Sequence, residues 1–213
     1  INGNLFKLIT KASRQLNYDT YVVGGYVRDL LLERPSNDID VVTVGSGIEL
    51  ARKTAALIDE RKEVKYYGRF GTAMIRMKDK EIEFVGARKE SYDPSSRKPF
   101  VENGTLEDDQ NRRDFTINAM AISLNEDTFG TLVDPFNGVQ DLEDKIIRTP
   151  LNPDVTYSDD PLRMMRAIRF ATQLDFTIEK ESFEAIKRNA HRIRIISMER
   201  VSDELNKIML SEK

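Results

Sequence analysis

The sequence predicts an α+β fold, a mixed sheet with helices over residues 1–150 followed by an all-helical section over residues 151–213. Three observations carry this. Short apolar runs such as "TYVV" and "DIDVVTV" alternate with segments of helical periodicity in the first part. "GTAMIRMK" and "EIEFVGAR" stand as consecutive strands across a short polar turn. After Pro153 only helical periodicity remains, in "DPLRMMRAIRFATQL", "EKESFEAIKRNA" and "SMERVSDELNKIML".

The elements follow in order. Leu5, Phe6, Leu8, Ile9, Ala12 and Leu16 recur at helical spacing, so an amphipathic helix opens the chain and ends near Asn17. "TYVVGG" is a short buried strand broken by glycines, and Tyr26 to Glu33 is a short helix stopped by Pro35. "DIDVVTV" is the next strand, and "SGIELARKTAALI" is a helix with Ser46 as its N-cap. The two following strands make a hairpin that turns at Asp79 and Lys80. From Lys89 to about Asp109 the chain is polar, carries Pro94 and Pro99, and reads as a mobile loop. "RRDFTINAMAISL" leads through a helix into a strand, and "TLVDPFNGVQDLEDKIIRT" adds a turn, a short helix and a last strand. The chain begins at Ile1 and ends inside an amphipathic helical pattern, so it reads as a piece of a longer protein.

Composition removes several kinds of chemistry. With no cysteine and a single histidine, His191, disulfides, thiolate zinc sites, multi-histidine metal centres and Cys/His nucleophile pairs are excluded. A metal must therefore sit on oxygen ligands. The lack of cysteine fits a reducing cytoplasm. No run of about 18 apolar residues predicts a membrane span. The net charge of −3 does not mark a globally nucleic-acid-binding protein, although a local basic surface is compatible with it.

The chemistry concentrates in "VVGGYVRDLLLERPSNDIDVVTV". Residues two apart on a strand share a face, so Asp38 and Asp40 lie side by side. Taken alone, such a pair also reads as solvated edge or turn residues. A divalent cation turns the repulsion into coordination, and magnesium takes one or two protein carboxylates while filling its other sites with water and phosphates. Glu83 on the hairpin could supply a third carboxylate, and Glu81 shares its face. Gly24 and Gly25 lack the spacing of a dinucleotide fingerprint or a P-loop. Between a strand and a helix they serve either as a tight turn or as a place where backbone N–H groups approach a phosphate. Arg28, in the first turn of that helix, pairs with such an anion or with a neighbour such as Asp29.

Four ordered motifs, "VVGGYVRDLLLERPSNDIDVVT", "RRDFTINAMA", "DPFNGVQDLEDKIIR" and "DDPLRMMRAIRFA", resemble those of class II tRNA nucleotidyltransferases. These are the CCA-adding enzymes, which share a DNA polymerase β-like head with bacterial poly(A) polymerases. The likeness runs from about residue 20 to the end, where "ISMERVSDELNKIML" is similar to the family's neck helix. It implies a nucleotidyltransferase head over residues 1–150 and a helical, nucleotide-selecting neck over residues 151–213, truncated relative to the family.

The resemblance also implies roles. Asp38 and Asp40 would carry two Mg²⁺ ions, and Glu83, five residues before Arg88, would be the third acid. Gly24, Gly25 and Arg28 would meet the incoming triphosphate, Arg113 a phosphate, and Asp114 with Asn118 the ribose. Asp114 and Asn118, four apart, can share a helical face. Asp160 and Arg163, at the start of a helix opening with Pro161, would read the base edges of CTP and ATP in place of a template, supported by Arg166 and Arg169. The family usually has Glu-Asp-Ala-Leu-Arg where this chain has Asp159-Asp160-Pro161-Leu162-Arg163, so Asp160 also reads as an ordinary N-cap.

The implied reaction is metal-dependent transfer of CMP and AMP to the 3′ end of tRNA, with Arg28 and Arg113 neutralising the triphosphate. Two other readings share these motifs: a poly(A) polymerase on the same head, and a non-catalytic nucleotide- or RNA-binding module, against which the intact carboxylates argue.

Overall fold

The computed structural model describes residues 3–67, 71–91 and 100–211. It divides into two compact units interleaved along the chain. The first holds Ile1–Lys89, Glu102–Gln110 and Met120–Pro135, and the second holds Glu90–Val101, Asn111–Ala119 and Phe136–Lys213.

The elements of the first unit begin with α1 (Asn4–Leu16), β1 (Thr20–Val23), α2 (Gly25–Leu31), β2 (Asp38–Thr43) and α3 (Gly47–Ile58), then β3 (Lys65–Tyr67), β4 (Thr72–Met77) and β5 (Lys80–Gly86). Arg88–Ser91 (β6) and Phe100–Asn103 (β7) form a separate ribbon, Leu106–Asn111 is α4, and Ala121–Ser123 (β8) and Leu132–Val133 (β9) complete the main sheet. That sheet has the order β3-β4-β5-β2-β1-β8-β9, with β2 and β5 parallel and the other pairs antiparallel. α1 stops where Asn17 takes a left-handed conformation, and α3 starts where the Ser46 hydroxyl accepts the Glu49 N–H.

Register decides what each face of the sheet carries. Ile39, Ile82 and Ile75 form one cross-strand row and Val41, Phe84 and Ala73 the next, all buried, with α3 packed on β4 and β5. Each of the Ile, Val and Phe side chains contributes about 1.5–3 kcal/mol by leaving water. The intervening residues, Asp38, Asp40 and Val42, project to the other face. There Val42 joins Val23, Ala87 and Ala121 in an apolar cluster, so the strand carries carboxylates at its start and core at its end.

The second unit is mainly helical: α5 (Gly138–Glu143), α6 (Pro153–Asp159), α7 (Leu162–Leu174), α8 (Lys180–Asn189) and α9 (Met198–Met209), with a parallel pair β10 (Ile146–Ile147) and β11 (Thr177–Ile178). Asn152 caps α6 by accepting the N–H groups of Asp154 and Val155, with Pro153 at the first helical position. Helix α6 packs on α8 and α7 on α9. Tyr157 is fully buried, bonded to Ser182, and its hydroxyl is pushed up to about 12 chiefly by burial.

Several expectations change. The mobile loop expected from Lys89 to Asp109 contains ordered structure: β7 and α4 lie within it, while residues 92–99 fall outside the described residues. Helix α4 is secured by a capping exchange, in which Asp108 accepts the Thr105 N–H and the Thr105 hydroxyl accepts the Asp108 N–H. The hairpin turns at Lys78 and Asp79, one residue earlier than predicted, because Lys80 pairs with Met77 and Lys78 takes positive φ. "RRDFTINAM" forms only a 3₁₀ turn at Thr116–Asn118, since Phe115 is extended and the Thr116 N–H bonds the Arg148 carbonyl. The expected last strand is present as β10, and it pairs with β11 in a sheet of its own.

Candidate active site

In the first unit, the parallel register sets Asp38 opposite Glu81 and Asp40 opposite Glu83, so four carboxylates share one face. They are not equivalent. Arg76 donates to Glu81 at 2.7 Å and so engages that carboxylate. Glu83 is partly buried, and its carboxyl is raised first by burial and then by the charge of Asp40, with Arg88 opposing. The structure therefore groups Glu83 with Asp40 and ties Glu81 to Arg76.

Among the described residues, no group of three or more acidic or histidine side chains could hold a metal ion unaided. A magnesium ion needs only one or two protein carboxylates when phosphates and water complete its shell, and the same-face Asp38 and Asp40 supply that many hard oxygen donors. The repulsion raising Glu83 is the kind a divalent cation relieves. The donor set thus fits an oxygen-seeking divalent cation.

Gly24 has φ 73° and ψ −139°, a conformation that glycine adopts without steric cost. Its N–H donates to the Met120 carbonyl at 3.3 Å. Arg28 is brought against Gly25, where an added Cβ would lie 3.5 Å from the guanidinium, and it also donates to both carboxylate oxygens of Asp29.

The second unit holds a polar cleft of ≈380 Å³. Its lining includes Arg113, Asp114, Asp160, Arg163 and Arg166, five residues marked by the sequence. The anchor is Asp114, whose Oδ1 accepts from the Phe115 N–H at 2.9 Å and Asn118 at 3.1 Å, and whose Oδ2 accepts from Arg166 Nε at 2.8 Å. Burial alone would raise its carboxyl. The charge of Arg166, the bonds from Asn118 and Arg166 and the charge of Arg163 outweigh burial and hold it below its ordinary value. Arg166 is correspondingly raised, first by Asp114.

Around this anchor, Arg113 donates to the Asn118 carbonyl at 3.4 Å and Arg163 to the Arg112 carbonyl at 2.7 Å. Asp160 does two things. Its Oδ1 accepts the Leu162 N–H at 3.2 Å, although α7 begins at Leu162 with Pro161 rather than Asp160 at the N-cap position, and its Oδ2 lies 3.8 Å from Arg200. Asn118 bonds Asp114 through its side chain and accepts from Arg113 at its carbonyl, but does not itself line the cleft. Arg169 is not brought into the lining either: its Nε donates to the buried Glu204 at 2.6 Å and its guanidinium stacks 4.1 Å from the Phe170 ring centroid.

Arg112 and the α9 residues Arg200, Asp203 and Lys207 also line the cleft, and sequence reasoning missed them. The signal was present, because positions 200, 203 and 207 recur at the spacing of one helical face. In all, six basic side chains face four acidic ones, a balance that suits an anionic ligand whose polar edge needs both donors and acceptors.

A mixed sheet with a strand, glycine turn and helix leading into a carboxylate-bearing neighbouring strand defines the polymerase β-like nucleotidyltransferase fold. Residues 20–148 match the family model described as the poly A polymerase head domain, and the chain belongs to that family. Residues 175–213 match a second model, described as the probable RNA and SrmB-binding site of polymerase A. The chain is 44% identical over 168 residues to the A-adding tRNA nucleotidyltransferase of Aquifex aeolicus, covering 79% of this chain and 20% of that protein. It is 37% identical over 207 residues to the CCA-adding enzyme of Streptococcus uberis, covering 95% of this chain and 48% of that one. A solved structure of the Thermotoga maritima CCA-adding enzyme complexed with tRNA superposes with a TM-score of 0.85 at 36% identity, covering 99% of this chain and 47% of that one. The chain thus spans between a fifth and a half of the length of these relatives.

Proposed function

We propose that this chain is the catalytic head and neck of a tRNA nucleotidyltransferase that adds CMP and AMP from CTP and ATP to the 3′ end of tRNA, completing or repairing CCA. The observation that carries the proposal is the cleft in which Asp160 and Arg163 sit beside the locked Asp114–Arg166 pair, in a chain of this family. The head is proposed to run to about residue 150 and the neck from there. The cytoplasm, where tRNA is processed and where a cysteine-free chain needs no oxidising compartment, is the proposed location. Among the described residues, no helix is long and apolar enough to cross a membrane.

The division of chemistry follows from the side chains. Asp38 and Asp40 would hold the divalent cations, taken to be Mg²⁺, with Glu83 as the third acid. When bound, the cations supply Lewis acidity at the reacting phosphate and lower the pKa of the attacking 3′-hydroxyl. Gly24, Gly25 and Arg28 would receive the triphosphate, which requires Arg28 to share its guanidinium with Asp29. Arg113 would contact a phosphate. Asp114, with Asn118 bonded to it, would accept from the ribose 2′-hydroxyl, which requires it to share a carboxylate already engaged by the Phe115 N–H, Asn118 and both Nε and Nη2 of Arg166. Asp160 would accept from the exocyclic amine shared by cytosine and adenine, and Arg163 would donate to a ring nitrogen or carbonyl. Uracil and guanine offer the wrong pattern at that edge. Arg166 and Arg169 act through Asp114 and Glu204 to hold the α7 face in place.

A second reading, addition of A alone, is favoured by the 44% identity to the Aquifex A-adding enzyme. Incorporation of labelled CTP and ATP into tRNA lacking its CCA end, and into tRNA ending in CC, separates the two. The proposal expects both nucleotides to be added in order to the first substrate. Use of ATP only, on the second substrate, selects A addition, and ATP tailing of generic RNA without CTP use would overturn both in favour of poly(A) synthesis.

A further inference from the structure

We infer that a groove beside β3 in the first unit is the track for single-stranded RNA upstream of the reacting 3′ end, its phosphodiesters held by Lys62, Lys65 and Arg76. This rests on the nucleotidyl-transfer reading above and assigns a surface to the RNA substrate.

The groove measures ≈360 Å³ and is lined by Lys62, Glu63, Lys65, Met74 and Arg76. Its position is set by strand register. Lys65 pairs with Met74, Met74 with Glu83, and Glu83 with Asp40, so the four stand in one cross-strand row on one face of the sheet. At about 4.8 Å per strand, Lys65 lies roughly 14 Å from Asp40, and Met74 roughly 10 Å. A strand whose terminal hydroxyl reacts at the aspartates has its upstream phosphates within a few nucleotides of that point, and this groove is where the same face turns basic.

The chemistry fits a nucleic-acid strand. Three cations face a single acidic lining residue, Glu63, and Arg76 is oriented by its bond to Glu81. Met74 supplies an apolar floor. On the same strand and face as Lys65, Tyr67 is 37% exposed, with the Lys65 ammonium 5.3 Å from its ring centroid. Cations interleaved with an exposed aromatic ring are the elements of sequence-tolerant single-strand binding. Lysine on an edge strand also serves to block edge-to-edge pairing, and β3 is an edge. That role explains Lys65 but not Lys62, which precedes the strand and faces the same groove.

The test measures binding of a short fluorescent single-stranded oligoribonucleotide with a free 3′-hydroxyl, by anisotropy across a salt series. The Lys62→Gln/Lys65→Gln double variant is compared with wild type and with Lys53→Gln on α3 as control. Losing two phosphate contacts should lower the slope of log K against log[salt] by about 1.4 and weaken binding roughly 25-fold at 0.1 M salt. The KM for RNA should rise with little change in kcat or in the KM for ATP, and Lys62→Arg/Lys65→Arg should restore binding. Wild-type affinity and slope in the Gln variant, or no RNA binding by the wild type, would overturn the inference. So would a lysine-dependent loss confined to duplex RNA or to an acidic peptide. A wild type that binds this RNA through the lysines yet transfers neither CMP nor AMP would instead sink the enzymatic reading alone.

Discussion

The two units carry their charge in opposite ways. On the β2–β5 face of the first, like charges are crowded: Asp38, Asp40 and Glu83 stand together, and Glu83 is raised by burial and by Asp40. In the second unit, opposite charges interleave, and Asp114 is held below its ordinary value by Arg166, Asn118 and Arg163 despite its burial. The first arrangement stores repulsion that a cation can relieve. The second is satisfied by its own partners, which suits the selecting role proposed for it. The difference teaches where to look for rate and where to look for selectivity.

The largest expected effect is on the crowded side. Asp40→Ala should lower nucleotide transfer on the order of 10³-fold, read by single-turnover incorporation of labelled AMP, while the melting temperature holds or rises because a repulsive neighbour of Glu83 is removed.

On the satisfied side the effect falls on stability. Asp114→Asn leaves Arg166 without its charge partner and should cost about 2–4 kcal/mol, measured as a shift in urea midpoint. The pH dependence has a definite sign. Because the folded Asp114 carboxyl lies below its ordinary value of 3.8, its contribution is fully present above that pH and is lost as pH falls through the folded value. Urea midpoints from neutral to about pH 3 should therefore drop more steeply for wild type than for the Asn variant.

Selectivity should come next in size. Asp160→Asn exchanges an acceptor for a mixed donor and acceptor, and the preference for CTP over UTP should fall by about 10- to 100-fold in kcat/KM. The smallest effect separates the two hairpin acids. Glu83→Gln should slow transfer about tenfold, whereas Glu81→Gln, which removes a partner of the exposed Arg76, should change it less than about threefold.

These contrasts were only partly legible in the chain. The i, i+2 spacing of Asp38 and Asp40 placed them on one face because strand geometry is local, and the Ser46 cap and Asn17 stop are local for the same reason. That Asp114 and Asn118 lie on one side was anticipated from their four-residue spacing on a helix, whereas a 3₁₀ turn brings them together and bonds one to the other. Pairings set by distant segments were not readable. Nothing in "EIEFV" says that Arg76 engages Glu81, nothing in "RAIRF" says that Arg169 turns to Glu204, and α9 as a wall of the cleft required tertiary packing. Helix α4 was readable from its Thr105-x-x-Asp108 cap but was hidden within a polar stretch.

The most direct test of the division of labour is to titrate the Asp40→Ala protein with each of the four ribonucleoside triphosphates and measure the dissociation constants calorimetrically. Binding of CTP and ATP within a few-fold of wild type, and tighter than UTP and GTP, is the result expected if selection resides in the Asp160–Arg163 cleft. Loss of that preference with Asp40, or equal binding of all four triphosphates by the wild type, would contradict it.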